Sequence, residues 1–147
     1  LADVLTKDFH GVRVAMMFVD SAFGAPYVER LQAMGHANVQ EVRFGGESPD
    51  RHQANMRAYM WNRSKDWLTA GAIDPKDTQL ETDATAPGYH LNKQDQLVIE
   101  SKEDMAKRGV ASPDDWDAHV LTFAAPVLAP RAQGRPTAAI PGGFAWT

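Results

Sequence analysis

The sequence predicts an α/β protein with helices flanking a sheet, and three observations carry that prediction. The run from Val14 to Val19 in "VRVAMMFVD" is continuously apolar rather than alternating, which fits a strand covered on both faces. A helix signal and a second strand signal follow within roughly 30 residues, the order of a right-handed crossover unit. Further along, two segments carry the S-x-x-[DE] signature of a capped helix start, Ser101 with Asp104 and Ser112 with Asp115.

In chain order, "LADVLTKDF" spaces Leu1, Val4 or Leu5, and Phe9 for a short helix ended by Gly11. The apolar strand then ends abruptly in Asp20. "APYVERLQAMG" has Pro26 near a helix start, Gly35 past its end, and Val28, Leu31 and Met34 along one stripe. "ANVQEVRF" reads as the returning strand. The longest helix is predicted over "SPDRHQANMRAYMWNRSKDWLTAG", with Ser48 as N-cap, Pro49 in the first turn and Gly71 as terminator. Its Met56, Met60 and Trp67 form a stripe suited to core packing. Between 72 and 100, "TQLET", "GYHLN" and "QLVIES" read as a small strand pair or ribbon and a final strand. After the two capped helices, the chain from Ala125 onward is rich in Pro, Gly and Ala. Residues 1–126 are therefore expected to form one domain and residues 127–147 a flexible tail.

Composition narrows the chemistry. At 147 residues, 44% hydrophobic and 23% charged, the chain suits a single globular core. No apolar run approaches the ~20 residues of a membrane span, and no signal-peptide pattern opens the chain, so a soluble, intracellular protein without membrane contact is expected. The absence of cysteine excludes disulfides, thiol nucleophiles and thiolate zinc sites, leaving oxygen or imidazole for any metal. A net charge of −4 argues against a generally basic nucleic-acid binder. There is no G-x-x-x-x-G-K-[ST] phosphate loop, and Ser21 lacks the G-x-S-x-G setting of a hydrolase nucleophile.

The acidic residues offer the most specific signal. Ligand chemistry in open α/β sheets gathers at the carboxyl ends of strands, where Asp20 lies; the simpler role for such a residue is to accept hydrogen bonds from the following turn. In "SPDDWDA", Asp115 sits where a capping box would be completed. Asp114 and Asp117 are three residues apart and share a helical face with Val120, Leu121 and Ala124. Carboxylates on a buried face need a positive partner, and hard oxygen donors favour Mg²⁺ or Mn²⁺; a helix N-terminus alone also attracts acidic residues. Asp20, Asp114 and Asp117 are the expected carboxylates of a two-ion site able to hydrolyse phosphodiesters. The histidines at 10, 36, 52, 90 and 119 show no zinc-ligand spacing, although His119 could support a ligand from within the acidic helix. Arg43, Arg51, Arg57, Arg63 and Lys65, interleaved with Asn55, Tyr59, Trp61 and Asn62, read either as a solvated helix surface or as a contact surface for a phosphate backbone. Arg131 and Arg135 could add phosphate contacts from the tail.

Several ordered segments now share one resemblance: "VDSAFGAPYVERLQAMG", "NVQEVRFGGESPDRHQANMRAYMWNRSKDWL", "GYHLNKQDQLVIESKEDMAKRGVASPDDWDA" and "LTFAAPV". Together they resemble the C-terminal nuclease domain of tailed-bacteriophage terminase large subunits. The resemblance implies a ribonuclease H-like mixed sheet with flanking helices, and a two-metal-ion endodeoxyribonuclease that cuts concatemeric viral DNA during genome packaging. It aligns Asp20 with the family's second acidic position, and Asp114, then Asp117, then Asp115 with the third. It also implies double-stranded DNA, the terminase small subunit, the portal and the ATPase domain as partners, in the cytoplasm of an infected bacterium. The family's first catalytic aspartate lies on an earlier strand with no counterpart ahead of Leu1, and the ATPase domain is absent too, so the resemblance implies the later portion of a nuclease domain. Two further readings are a catalytically silent DNA- or portal-binding fragment and another ribonuclease H-like nuclease, such as a resolvase or transposase core.

Overall fold

The computed structural model describes residues 1–9 and 11–127. Of the expected tail over 127–147, residues 128–147, with Arg131 and Arg135, lie outside the described residues, as does His10. The first helix, α1 (Ala2–Thr6), stops before Phe9 and leads into a hairpin of β1 (Asp8–Phe9) and β2 (Val12–Arg13). Asp8 explains the early stop, because its carboxylate accepts the Gly11 amide and offers the backbone an alternative to another helical turn. Gly11 takes φ +84°, which a residue without Cβ adopts at little cost.

The predicted crossover unit is present. Strand β3 (Met17–Asp20) pairs in parallel with β4 (Val39–Val42), in register from Met17 opposite Val39 to Asp20 opposite Val42, and α2 (Ser21–Ala33) connects them. The helix begins five residues before Pro26, which is held inside it; Asp20 is its N-cap. At Gly24 a Cβ would collide with the Val19 side chain, so glycine lets α2 lie directly on β3. Gly35, at φ +93°, ends the excursion.

The continuous apolar character of β3 follows from its two covered faces. Met17 and Val19 pack against the cluster of Leu5, Val28, Leu31 and Val39, whereas Phe18 packs against Val42, Met60, Trp61, Trp116 and Val120. Strand alternation puts Asp20 on the same side as Phe18. Met34, predicted to continue the α2 stripe, is 54% exposed because it lies beyond the last helical turn.

Helix α3 (Met56–Trp67) starts seven residues later than the Ser48 signal suggested. Ser48 instead closes a local turn with Asp50, whose carboxylate accepts the His52 amide, and Asn55 becomes the N-cap by accepting the Ala58 amide at 2.9 Å. The Met56 and Arg57 amides are taken by the carbonyls of Gly46 and Phe44. "TQLET" is not a strand: Asp77 accepts the Leu80 amide and starts α4 (Thr78–Thr85). Strands β5 (Tyr89–Leu91) and β6 (Leu97–Ile99) form the expected hairpin. Ser101 caps α5 (Lys102–Lys107) as its signature predicted, and α6 (Asp114–Val120) runs into a 3₁₀ turn, Leu121–Phe123. The result is an α/β fold. Among the described residues, its strands pair two by two, one pair parallel and two antiparallel.

Candidate metal centre

Asp117 lies on the inward face of α6 with its side chain only 6% exposed, and the chain surrounds it with donors. Arg57 and Trp61, four residues apart on α3, reach it from one side. Arg57 Nε donates to Oδ1 at 3.1 Å and Trp61 Nε1 donates to the same oxygen at 2.9 Å. Oδ2 receives an Arg57 terminal nitrogen at 3.4 Å and the Lys102 ammonium at 3.1 Å. Lys102 also donates to Asp114 Oδ1 at 2.8 Å, so one ammonium is seated between the two carboxylates. Two cations and two anions make the cluster neutral. That balance is what lets Asp117 be buried, since an isolated carboxylate there would be very costly.

The ionisation of these groups follows from the same contacts. Hydrogen bonds from Lys102 and then Ser112 hold the Asp114 carboxyl below its ordinary range. Burial disfavours the charged form of Lys102, but its bonds to Asp114 and Asp117 outweigh this and raise its pKa.

The other predicted residues are distributed differently. Asp20 is half-buried at the end of β3, where its carboxylate accepts the Ala22 amide at 3.2 Å: the simple turn-capping role is the one realised here. Asp115 does not complete a capping box. Ser112 Oγ donates to Asp114 at 2.6 Å, and the Asp115 amide is bound by Asp83 of α4 at 2.9 Å. Asp115 itself is exposed. Among the described residues, no group of three or more histidine, aspartate or glutamate side chains is placed to hold a metal ion, so the trio of Asp20, Asp114 and Asp117 is not assembled. His119 supports no ligand through Nε2, which is buried without a partner. The ring packs against Trp67, Trp116 and Phe123, and burial lowers its pKa.

The basic cluster also divides. Arg57 is 8% exposed and committed to Asp117 and to the Glu100 carbonyl, so its expected role in contacting DNA is corrected to one of internal charge compensation. Arg43, Arg51, Arg63 and Lys65 are exposed. Arg63 and Lys65 are two positions apart on α3 and therefore do not face each other.

Sequence reasoning missed Lys102, Trp61 and Asp83. Lys102 had a readable signal: it occupies the first turn of a helix, where the dipole disfavours a cation, and such a local conflict calls for a compensating anion. Asp83 was hidden by reading its segment as a strand; in the helix it is 3% exposed, accepts from Gln79 at 2.7 Å and caps α6.

No known family model and no curated protein matches the chain. Solved structures do. The nuclease domain of the large terminase subunit gp2 of bacterial virus Sf6 matches 78% of this chain at a TM-score of 0.59 and 20% identity. This chain has a terminase nuclease-domain fold. A lysine-to-alanine mutant of the same Sf6 domain, solved with manganese, matches 77% of the chain at a TM-score of 0.59 and 19% identity; a further mutant structure, with calcium, matches at 0.58 and 20%. The chain spans 66% of the length of the Sf6 domain. The manganese and calcium belong to the Sf6 structures. In the present terminase-like fold, the donor set around Lys102 consists of hard carboxylate oxygens already holding one cation, which fits a single divalent ion in exchange for the ammonium. A second ion finds no gathered set of ligands among the described residues.

Proposed function

We propose that the chain acts as a phage terminase nuclease domain in metal-dependent cutting of concatemeric DNA during genome packaging. The seating of Lys102 between Asp114 and Asp117, within a terminase nuclease-domain fold, carries this reading. Mg²⁺ or Mn²⁺ bound in place of the ammonium would supply an activated water and charge neutralisation at a scissile phosphate. Asp117 and Asp114 would hold the ion, and Lys102, once released, would be free to face the phosphate. Asp20 would join as a third carboxylate only by giving up the Ala22 amide. Exposed Arg43, Arg51, Arg63 and Lys65 would contribute salt-sensitive contacts to double-stranded DNA. The portal, small subunit and ATPase domain are the expected partners, in the cytoplasm of an infected bacterium. No helix among the described residues is long and apolar enough to cross a membrane.

The test is nicking of supercoiled plasmid in Mn²⁺ by the chain beside Asp20→Asn, Asp114→Asn and Asp117→Asn. Cleavage by the parent and loss in all three variants is expected. The capped state of Asp20 favours a second reading, a catalytically silent DNA- or portal-binding fragment. A folded chain that binds DNA in a salt-dependent way without nicking it would establish that alternative.

A further inference from the structure

The two oxygens of Asp117 are not equivalent. Oδ1 has both of its good lone-pair directions filled, by Trp61 Nε1 at 2.9 Å and Arg57 Nε at 3.1 Å. Oδ2 has one long bond from Arg57, at 3.4 Å, and otherwise faces Lys102. A half-turn of the carboxylate only exchanges two identical oxygens, but a quarter-turn of its plane would break both bonds at the inner oxygen, where burial leaves little water to replace them. The donors are fixed in turn. Trp61 is 8% exposed and packs against Trp116 with ring centroids 6.3 Å apart, while the Arg57 guanidinium lies 5.4 Å from the Trp61 ring centroid. A third Arg57 nitrogen donates to the Glu100 carbonyl at 2.7 Å, two residues before Lys102, so the arginine that orients Asp117 also anchors the segment bearing the exchangeable ammonium.

We infer that Trp61 and Arg57 are positioning residues that turn Oδ1 inward and present Oδ2 as the single oxygen with which Asp117 addresses a divalent ion. The inference rests on the proposed exchange of a divalent ion for Lys102, and it adds a prediction for one N–H group: Trp61→Phe removes that donor, with part of the indole's packing, while keeping an aromatic ring in the core. Hydrogen-bond partners of metal ligands typically change metal affinity about 10–100-fold.

The experiment is calorimetric titration of the 147-residue chain with Mn²⁺, comparing parent, Trp61→Phe, Arg57→Lys and Asp117→Asn, with circular dichroism to verify folding. Trp61→Phe is expected to fold like the parent and bind Mn²⁺ about tenfold more weakly. Its nicking activity should recover at high Mn²⁺, because an affinity and not a turnover has been lost. Arg57→Lys keeps the charge but loses the fork, and should show the same defect; it carries the test if Trp61→Phe fails to fold. Equal Mn²⁺ affinity in the parent and a folded positioning variant, with binding lost in Asp117→Asn, would overturn the inference while leaving the ion at Asp117. Binding unchanged in Asp117→Asn, or absent from the parent, would overturn the underlying reading and the inference with it.

Discussion

Asp117 and Asp20 were expected to serve one site, yet the fold treats them in opposite ways. Asp117 is buried among Arg57, Trp61 and Lys102, its charge balanced before any ligand arrives. Asp20 is half-buried, and its carboxylate accepts the amide of the helix it starts. The difference shows what burial demands. A carboxylate deep among Trp61, Trp116 and Val120 must carry its counter-charge within the fold, whereas one at a strand end, near water, needs only to satisfy a turn. The two would therefore meet a cation differently: at Asp117 it would have to replace an ammonium, and at Asp20 it would compete with a backbone hydrogen bond.

The most severe way to break this contrast is Arg57→Met. It removes the buried counter-charge while keeping most of the side-chain volume, leaving Asp117 dependent on a half-exposed lysine. A loss of about 3–5 kcal/mol is expected from stranding one partner of a buried pair. Urea denaturation checks it. A change below about 1 kcal/mol would mean that Lys102 and Trp61 compensate Asp117 without the arginine.

Asp20 should respond more gently. Asp20→Ala removes an N-cap and should cost about 1 kcal/mol, whereas Asp20→Asn keeps a capping oxygen and should leave stability nearly unchanged. The pair sharpens the comparison when stability is measured beside nicking. A nicking activity lost in a fully stable Asp20→Asn would assign the residue a chemical role beyond its cap. Equal stability of all three proteins would show that the Ala22 bond contributes little.

The same contrast explains what could be read from the sequence. The crossover unit was legible because the apolar runs of β3 and α2 report burial directly, and the β5–β6 hairpin because its segments are short and separated by turn residues. The start of α3 was not legible. Ser48-Pro49 is a valid helix signal that lost to a Ser48–Asp50 turn and to loop carbonyls at Phe44 and Gly46, contacts fixed by tertiary structure. The acidic positions were visible as residue types, but their partners were not: Arg57 and Asp117 are 60 residues apart, and nothing in the spacing of basic residues on α3 distinguishes the one turned inward. Lys102 was missed as well, although a cation at a helix start carries a local cost that calls for anions elsewhere.

The smallest effect should come from a carboxylate that is half-buried and paired with an exposed arginine. Glu100 accepts Arg108 through both oxygens, at 2.8 and 2.7 Å, and its Oε2 also takes the Gly88 amide. The Arg108 bonds, then the Gly88 bond, bring its pKa from 4.5 down to about 2. Because the folded value is the lower one, the stabilisation is complete above the unfolded pKa near 4.5 and is lost as pH falls toward about 2. Glu100→Gln removes the titration. The parent should therefore melt slightly higher than the variant at pH 7, and the gap should close between about pH 4.5 and about pH 2. Thermal melts of both proteins across that window measure it. A gap that stays constant down to low pH would assign the difference to packing at the hairpin base and remove the Glu100 charge from the account, whereas closure in the stated window would separate a half-buried pair, tuned by pH, from the buried one at Asp117, whose loss is felt as folding itself.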